Sequence, residues 1–275
     1  MREFSAEYLD ATRRGMWDDS RAALANLDLD ARSSILDVGC GTGELSRVLE
    51  EESSGEVVGV DADRGLLDAA PADLPTVVGD ATQLPFRNGA FDLVVCQALL
   101  INLPDPAAAV REFARVSDGA VAAIEPDNAA VTVDSTVDAE PRLERRARAA
   151  YLEGIETDVT LGGDGTRAAF DAAGLRAVRS TRYDHVRRVE PPYTDDAIES
   201  AQRKASGAAL REDRETMLAG TADPELLDDL RAAWRSMGRT VIEQMQAGEY
   251  RRREVVPFFV TVGTVPEDAE DVTGR

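Results

Sequence analysis

Residues 35–49 read Ile-Leu-Asp-Val-Gly-Cys-Gly-Thr-Gly-Glu-Leu-Ser-Arg-Val-Leu, and no other stretch limits the folds open to this chain as much. Residues 34–38 are a short apolar run carrying Asp37, the pattern of a buried parallel strand, and residues 44–49 resume with helical spacing. Gly39, Gly41 and Gly43 lie between them. Glycine at alternate positions lets the backbone turn sharply, adopt positive φ and approach a ligand with no Cβ in the way. The expected product is a strand, a turn of bare backbone and a helix, with a ligand at the strand's carboxyl end.

The spacing also bears on the ligand. A dinucleotide fingerprint is G-x-G-x-x-G, which asks for glycine where this chain has Glu44, and a carboxylate there repels a pyrophosphate. The element instead resembles the first motif of the class I S-adenosylmethionine-dependent methyltransferases, an acid followed by G-x-G-x-G, carried here by Asp37, Gly39, Gly41 and Gly43. The resemblance implies S-adenosyl-L-methionine as cofactor, a ligand with an ammonium, a sulfonium and no phosphate. Its implied contacts in this turn are Asp37, Gly39, Cys40, Gly41 and Gly43.

Residues 56–60 read as a second buried strand ending at Asp61. An acid at this place accepts from both ribose hydroxyls in dinucleotide and S-adenosylmethionine sites alike, so Asp61, with its neighbour Ala62, points to a nucleoside without choosing which. Asp63 reads as the N-cap of a helical segment over 64–70. Residues 75–79 give a third strand, which leaves through Gly-Asp-Ala-Thr-Gln-Leu-Pro-Phe at 79–86. That run resembles the family's G-D-A-x-x-L-P-F element, in which the acid accepts from the adenine amino group and a neighbouring amide meets the ring. The resemblance assigns those roles to Asp80 and Ala81. Residues 91–96 form a fourth strand, and Gln97 at its exit is the implied contact beside the methionine portion.

Two departures narrow the chemistry. Relatives commonly carry a histidine before L-P-D-P, where this chain has Asn102, so a possible general base is missing. The D-P-P-Y and N-P-P-Y tetrapeptides associated with methylation of nucleic-acid bases are also absent. A helix is expected over 3–25, from Phe4, Tyr8, Met16, Trp17 and Leu24 on one broad face. In the family a leading helix of this kind lies over the cofactor, which makes Tyr8, Arg13 or Arg14, and Trp17 candidate lid residues, an arginine there pairing with the methionine carboxylate.

A helix over 106–116 and a fifth strand over 119–126, stopped by Pro126, continue a strict alternation of strands and helices. The expected fold is α/β: a Rossmann-like, doubly wound, seven-stranded, mainly parallel sheet with helices on both faces, plus an N-terminal helix and a helical cap insertion. The boundaries read as 1–30 for the lid, 31–190 for the binding core, 191–250 for the cap, 251–265 for the last strand and 266–275 for an acidic tail. A helix over 138–155, a flexible turn at 162–165, a helix over 166–173 and a sixth strand over 176–189 complete the core. His185, the only histidine, reads as a half-buried packing residue on that strand. Two helical stretches come next, 195–218 and 224–246, in which Trp234, Met237 and Met245 are candidates to line an acceptor pocket. In the last strand, over 255–265, Pro257 suits an edge or a place where only the carbonyl side is paired.

Composition excludes other partners. A net charge of −21 would repel nucleic-acid phosphates. Lys204 is the only lysine among 31 basic residues set against 52 acids, the pattern of a surface adapted to a high-salt cytoplasm or, as the rival reading, of an acidic docking surface. Two cysteines, both in elements expected to be buried, make no secretory disulfide framework, and no run is long enough to cross a bilayer. A cytoplasmic protein with a small-molecule acceptor is expected. No metal is expected either, since the chain has no H-E-x-x-H or C-x-x-C and a single histidine. A base for the acceptor, if one is needed, is left among carboxylates, Tyr8, Tyr151, Tyr183 and water. The rival readings are a nicotinamide-dependent oxidoreductase and a non-catalytic cofactor-binding protein.

Overall fold

The apolar run after Ser33 becomes strand β1, Ser34–Val38, buried from Ile35 onward between two parallel neighbours, β2 (Glu56–Asp61) and β4 (Phe91–Gln97). The computed structural model describes residues 16–17, 21–155, 160–220 and 223–266, and they fall into two compact units. The described residues of the first lie within Met1–Pro126, Thr160–Tyr183 and Phe258–Arg275; those of the second lie within Asp127–Val159 and Asp184–Pro257.

In the first unit the strands run in the order β3-β2-β1-β4-β5-β8, with β3 at Thr76–Val78, β5 at Ser117–Pro126 and β8 at Arg252–Thr264. Pairing is parallel from β3 to β5 and antiparallel between β5 and the second half of β8. Parallel strands need crossover connections, and helices α1 (Glu44–Glu52), α2 (Arg64–Leu67) and α3 (Pro106–Val116) supply them. Helix α3 starts where Asp105 accepts from the amide of Ala108, with proline in its first turn, and it buries Ala109, Val110, Phe113 and Val116 on one face. That face joins Leu36, Val38, Val94, Cys96 and Val121 in a single core. The mainly parallel α/β sheet inferred from the alternating pattern is thus present.

The second unit has its own core, built from Leu143 and Ala147 of α4 (Glu140–Glu153) with Leu227, Leu230, Trp234, Met237 and Val241 of the long helix α9 (Pro224–Gln246). Beside it lies a network of charges. The fully buried Glu140 accepts from Lys204, from the Tyr250 hydroxyl at 3.0 Å and from Ser135 Oγ at 2.6 Å. Lys204 also reaches Glu144 at 2.8 Å, and Arg252 reaches Glu144 and Glu254, each at 3.2 Å. Burial alone would push the Glu144 carboxyl up, but the charges of Lys204 and Arg252 outweigh it and hold the group below its ordinary range.

Several expectations are corrected. Among the described residues the sheet has eight strands, not seven: Thr132–Ser135 forms β6, antiparallel to residues 252–255 of β8. The stretch 162–165 is no turn but the start of helix α5, Gly162–Ala172. Its glycine serves packing, because a Cβ on Gly163 would stand 2.5 Å from the Phe259 ring. The stretch 195–218 divides at Gly207 into α6 (Asp195–Ser206), α7 (Ala208–Glu212) and α8 (Arg214–Ala219). Pro257 takes the second of the two places expected for it: it falls between the residues of β8 that pair with β6 and those that pair with β5, and its carbonyl side is paired, accepting from the Asp127 amide at 2.9 Å. His185, on β7 (Arg176–Val189), is 6% exposed and so buried rather than half-buried; burial, with the nearby Arg187, lowers its pKa. Of the helix expected over 3–25, the described part is a turn at Met16 and Trp17 and a 3₁₀ helix at Arg21–Leu27; the remainder lies outside the described residues. The stretch read as a cap, 191–250, lies in the second unit, which also takes in residues of 127–159 and 184–190.

Candidate functional site

The carboxyl ends of β1, β2, β3 and β4 converge because the strands are parallel and adjacent, and the residues picked out from the sequence sit at those ends. After β1 the chain turns through Gly39, Gly41 and Gly43 with φ of 72°, 56° and 79°. Gly39 and Cys40 donate to the carbonyl of Val60 at 2.7 and 3.2 Å, which ties the turn to β2. Gly43 then caps α1, and Glu44 occupies its first turn. An acid there complements the helix dipole and takes the place a pyrophosphate would need. Asp37 lies below the turn, 1% exposed, accepting from Ser46 Oγ of α1 at 2.6 Å.

Asp61 ends β2 with both carboxylate oxygens at work. Oδ2 accepts from the Gly41 amide at 2.9 Å and Oδ1 from the Asp63 amide at 2.8 Å. A carboxylate has about four acceptor directions, so two remain for a diol. Asp63 caps α2 through Gly65, as its sequence context suggests, and Ala62 between the two acids is exposed. Just beyond the end of β3, one strand further out, Asp80 Oδ1 accepts from the amide and hydroxyl of Thr82, both at 2.7 Å. These two hydrogen bonds hold the Asp80 carboxyl below its ordinary range and keep it an anion. The segment carrying Asp80 and the half-buried Ala81 is pinned from α3: Leu84 donates to Glu112 at 2.7 Å, and Arg115 donates to the carbonyls of Leu84 and Phe86 at 3.1 and 3.0 Å.

Gln97, 2% exposed, ends β4 and donates from Nε2 to the thioether of Met16 at 3.0 Å. Tyr183 donates to the Met16 carbonyl at 3.3 Å. Trp17, 3% exposed, comes next in the same turn. Tyr8 and Arg14 lie outside the described residues.

One residue was missed in the sequence. Glu125, fully buried at the end of β5, accepts from the amides of Leu99 at 3.1 Å, Leu100 at 2.8 Å and Ile101 at 3.4 Å. Burial pushes its carboxyl up to about 7, and the three amides oppose the rise. The same burial, together with the Glu125 and Asp37 charges, drives the neighbouring Cys96 thiol up. The available signal was an acid inside the otherwise apolar run 119–126, immediately before Pro126.

Acids held at the tips of adjacent strands and an acid at the helix start suit a cationic nucleoside without phosphates. Comparison with known proteins bears on the same segment. A family model described as a methyltransferase domain matches residues 36–123. The demethylmenaquinone methyltransferase of Mycolicibacterium vanbaalenii is 41% identical over 98 residues, 35% of this chain and 42% of that protein. That of Lactiplantibacillus plantarum is 34% identical over 107 residues, 35% of this chain and 45% of that protein. The chain thus spans less than half the length of these curated relatives. The crystal structure of the YcgJ protein from Bacillus subtilis shares the fold, with a TM-score of 0.52 at 18% identity, over 90% of this chain and 99% of that one.

Proposed function

We infer, for a chain whose residues 36–123 match a methyltransferase domain, that it is an S-adenosyl-L-methionine-dependent methyltransferase acting on a small-molecule acceptor. The observation that carries this reading is the bond from the Gly41 amide to Asp61, which joins the glycine turn to the acid expected on the ribose. Asp61 and Ala62 then hold the ribose, Asp80 and the Ala81 amide the adenine, and Asp37, Gly39, Cys40, Gly41, Gly43 and Gln97 the methionine portion. Tyr8, Arg14 and Trp17 belong to the lid.

The bound cofactor supplies a methyl group on a sulfonium, already an excellent leaving group. The chain's residues therefore have to align the acceptor and exclude water, effects worth roughly 7–11 kcal/mol together. The buried side chains of Gln97 and Met16, joined by a hydrogen bond, provide a dry wall at the end of β4. Asn102, 9% exposed, donates from Nδ2 to the Ala98 carbonyl at 2.9 Å and is no general base, so any base the acceptor needs is left to a carboxylate, a tyrosine or water. The names of the curated relatives support an acceptor that is a small molecule. We assign its selection to the helical residues 191–250, since nothing in 35–126 distinguishes one acceptor from another. The charge of −21 supports a cytoplasmic protein adapted to high salt that does not bind nucleic acid. No helix among the described residues is long and apolar enough to cross a membrane.

Calorimetric titration with S-adenosylmethionine, S-adenosylhomocysteine and NAD tests the reading. Heat from the first two and none from NAD is expected; tight NAD binding alone overturns it in favour of an oxidoreductase. Incubation with methyl-labelled cofactor and cell extract then identifies the acceptor, and absence of any labelled product favours a protein that binds without turnover.

A further inference from the structure

The ladder between β4 and β5 ends at the pair Gln97 and Ile124, and the backbone beyond that pair departs from strand geometry. Ala98 still donates to the Ile124 carbonyl at 2.9 Å, but it does so with φ of +49°, a left-handed conformation strained for a residue with a side chain. Past Ala98 the carboxylate of Glu125 replaces the ladder and takes the amides of Leu99, Leu100 and Ile101 in succession. Successive amides converging on one anion make a rigid nest, the kind of over-determination that strained backbone requires. The Leu99 side chain held in this way rests on the glycine turn: a Cβ built on Gly39 would stand 2.9 Å from Leu99 Cδ1. The ends of β5, β4 and β1 are thereby joined through two side chains, the buried Glu125 and the half-buried Leu99.

We propose that Glu125 is a positioning residue for the glycine turn: its carboxylate holds the exit of β4 so that Leu99 bears on Gly39, and it thereby sets the backbone that faces the ligand. A buried acid is a costly way to end an apolar strand, and an aliphatic residue there would serve packing better. Its cost is met by a function in place, since all three backbone partners are donors that no aliphatic side chain satisfies. The consequence for ligand affinity rests on the S-adenosylmethionine reading, whereas the consequence for the turn does not.

The test uses the full chain and the variants Glu125→Gln, Leu99→Ala and both together, with Val110→Ala as a core control. Without ligand, amide hydrogen exchange at 39–43 should quicken about tenfold in Glu125→Gln and Leu99→Ala, but not in Val110→Ala, at matched distance from each variant's melting point. With S-adenosylhomocysteine as probe, each single variant should bind roughly tenfold more weakly, and the double variant no more weakly than the worse single one, because the two side chains act through one contact. Unchanged exchange at 39–43 in both single variants overturns the proposal, as do independent, multiplying losses of affinity in the double variant. If the wild-type chain binds neither S-adenosylmethionine nor its demethylated product, the cofactor reading fails, and the exchange experiment still decides the role of Glu125. Should Glu125→Gln not fold, Leu99→Ala carries the same exchange test from the other end of the contact.

Discussion

The carboxylate of Asp61 accepts a 2.9 Å hydrogen bond from the amide of Gly41, so the acid at the tip of β2 holds the turn that comes after β1. Its other oxygen holds the Asp63 amide and with it the start of α2. One side chain thus organises two loops and, in the proposed function, the ribose between them. Charge-assisted hydrogen bonds of this kind contribute about 1.5–3 kcal/mol each. Asp61→Ala should therefore weaken S-adenosylmethionine binding by roughly 10- to 100-fold, and Asp61→Asn by less. Isothermal titration measures both, and equal affinity in all three proteins would remove Asp61 from the site.

Gly39 and Gly174 separate backbone strain from lost space. Both have positive φ, 72° and 81°, but a Cβ on Gly39 meets Leu99, while among the described residues nothing lies within 4 Å of one on Gly174. Alanine at Gly174 should cost only the conformational strain, about 1–2 kcal/mol, and leave cofactor binding intact. Alanine at Gly39 should cost more and abolish binding. Denaturant melts paired with titrations check the contrast.

The Glu125 carboxyl gives the chain a pH dependence of definite sign. Its pKa is raised in the folded protein from an ordinary 4.5 to about 7, so the native state holds this proton more tightly than the unfolded chain. The stability it contributes is fully present below pH 4.5 and lost as pH rises through 7, about 3 kcal/mol in all. Asp80, Glu112, Glu144 and Glu254 are shifted downward and act oppositely: their contribution is present above the ordinary carboxyl range and lost as pH falls through their lowered values. Glu125→Gln should flatten the decline between pH 4.5 and 7 in urea titrations and leave the acid limb unchanged.

Lys204→Met should strand Glu140, which is fully buried, and Glu144 without their ammonium partner. Breaking a buried pair from one side costs about 3–5 kcal/mol, far more than the pair itself is worth. Urea unfolding should register that loss, and replacing Lys204, Glu140 and Glu144 together by apolar residues should recover much of it.

A surface adapted to high salt should gain stability as KCl rises. With a net charge of −21, screening within a Debye length of about 3 Å at 1 M removes most self-repulsion. The melting temperature should climb steadily between low salt and molar KCl; a protein already at its maximum in dilute buffer would contradict the adaptation.

The first five strands could be read directly because each is an apolar run bounded by glycine, an acid or proline at its end or, for β4, by the Asn88-Gly89 turn before it, signals local to a few residues. The acids at the tips of β2 and β3 could be placed for the same reason, since a strand end and a crevice coincide in a parallel sheet. What escaped depended on distant partners. Thr132–Ser135 has one buried residue, Val133, and is a strand only because residues 252–255 lie beside it. Gly163 looks like part of a turn until Phe259 is known to need the room. Glu125 escaped because its role is set by amides of another strand's exit, and nothing in its neighbours along the chain announces them.

The enclosure of Lys204 has a practical corollary. This chain has one lysine, and its side chain is 13% exposed behind two carboxylates. Amine-reactive reagents will find that ε-amino group only when the helices around it breathe open, so the rate of acylation at this single atom is a clock for local opening of the second unit, independent of any ligand.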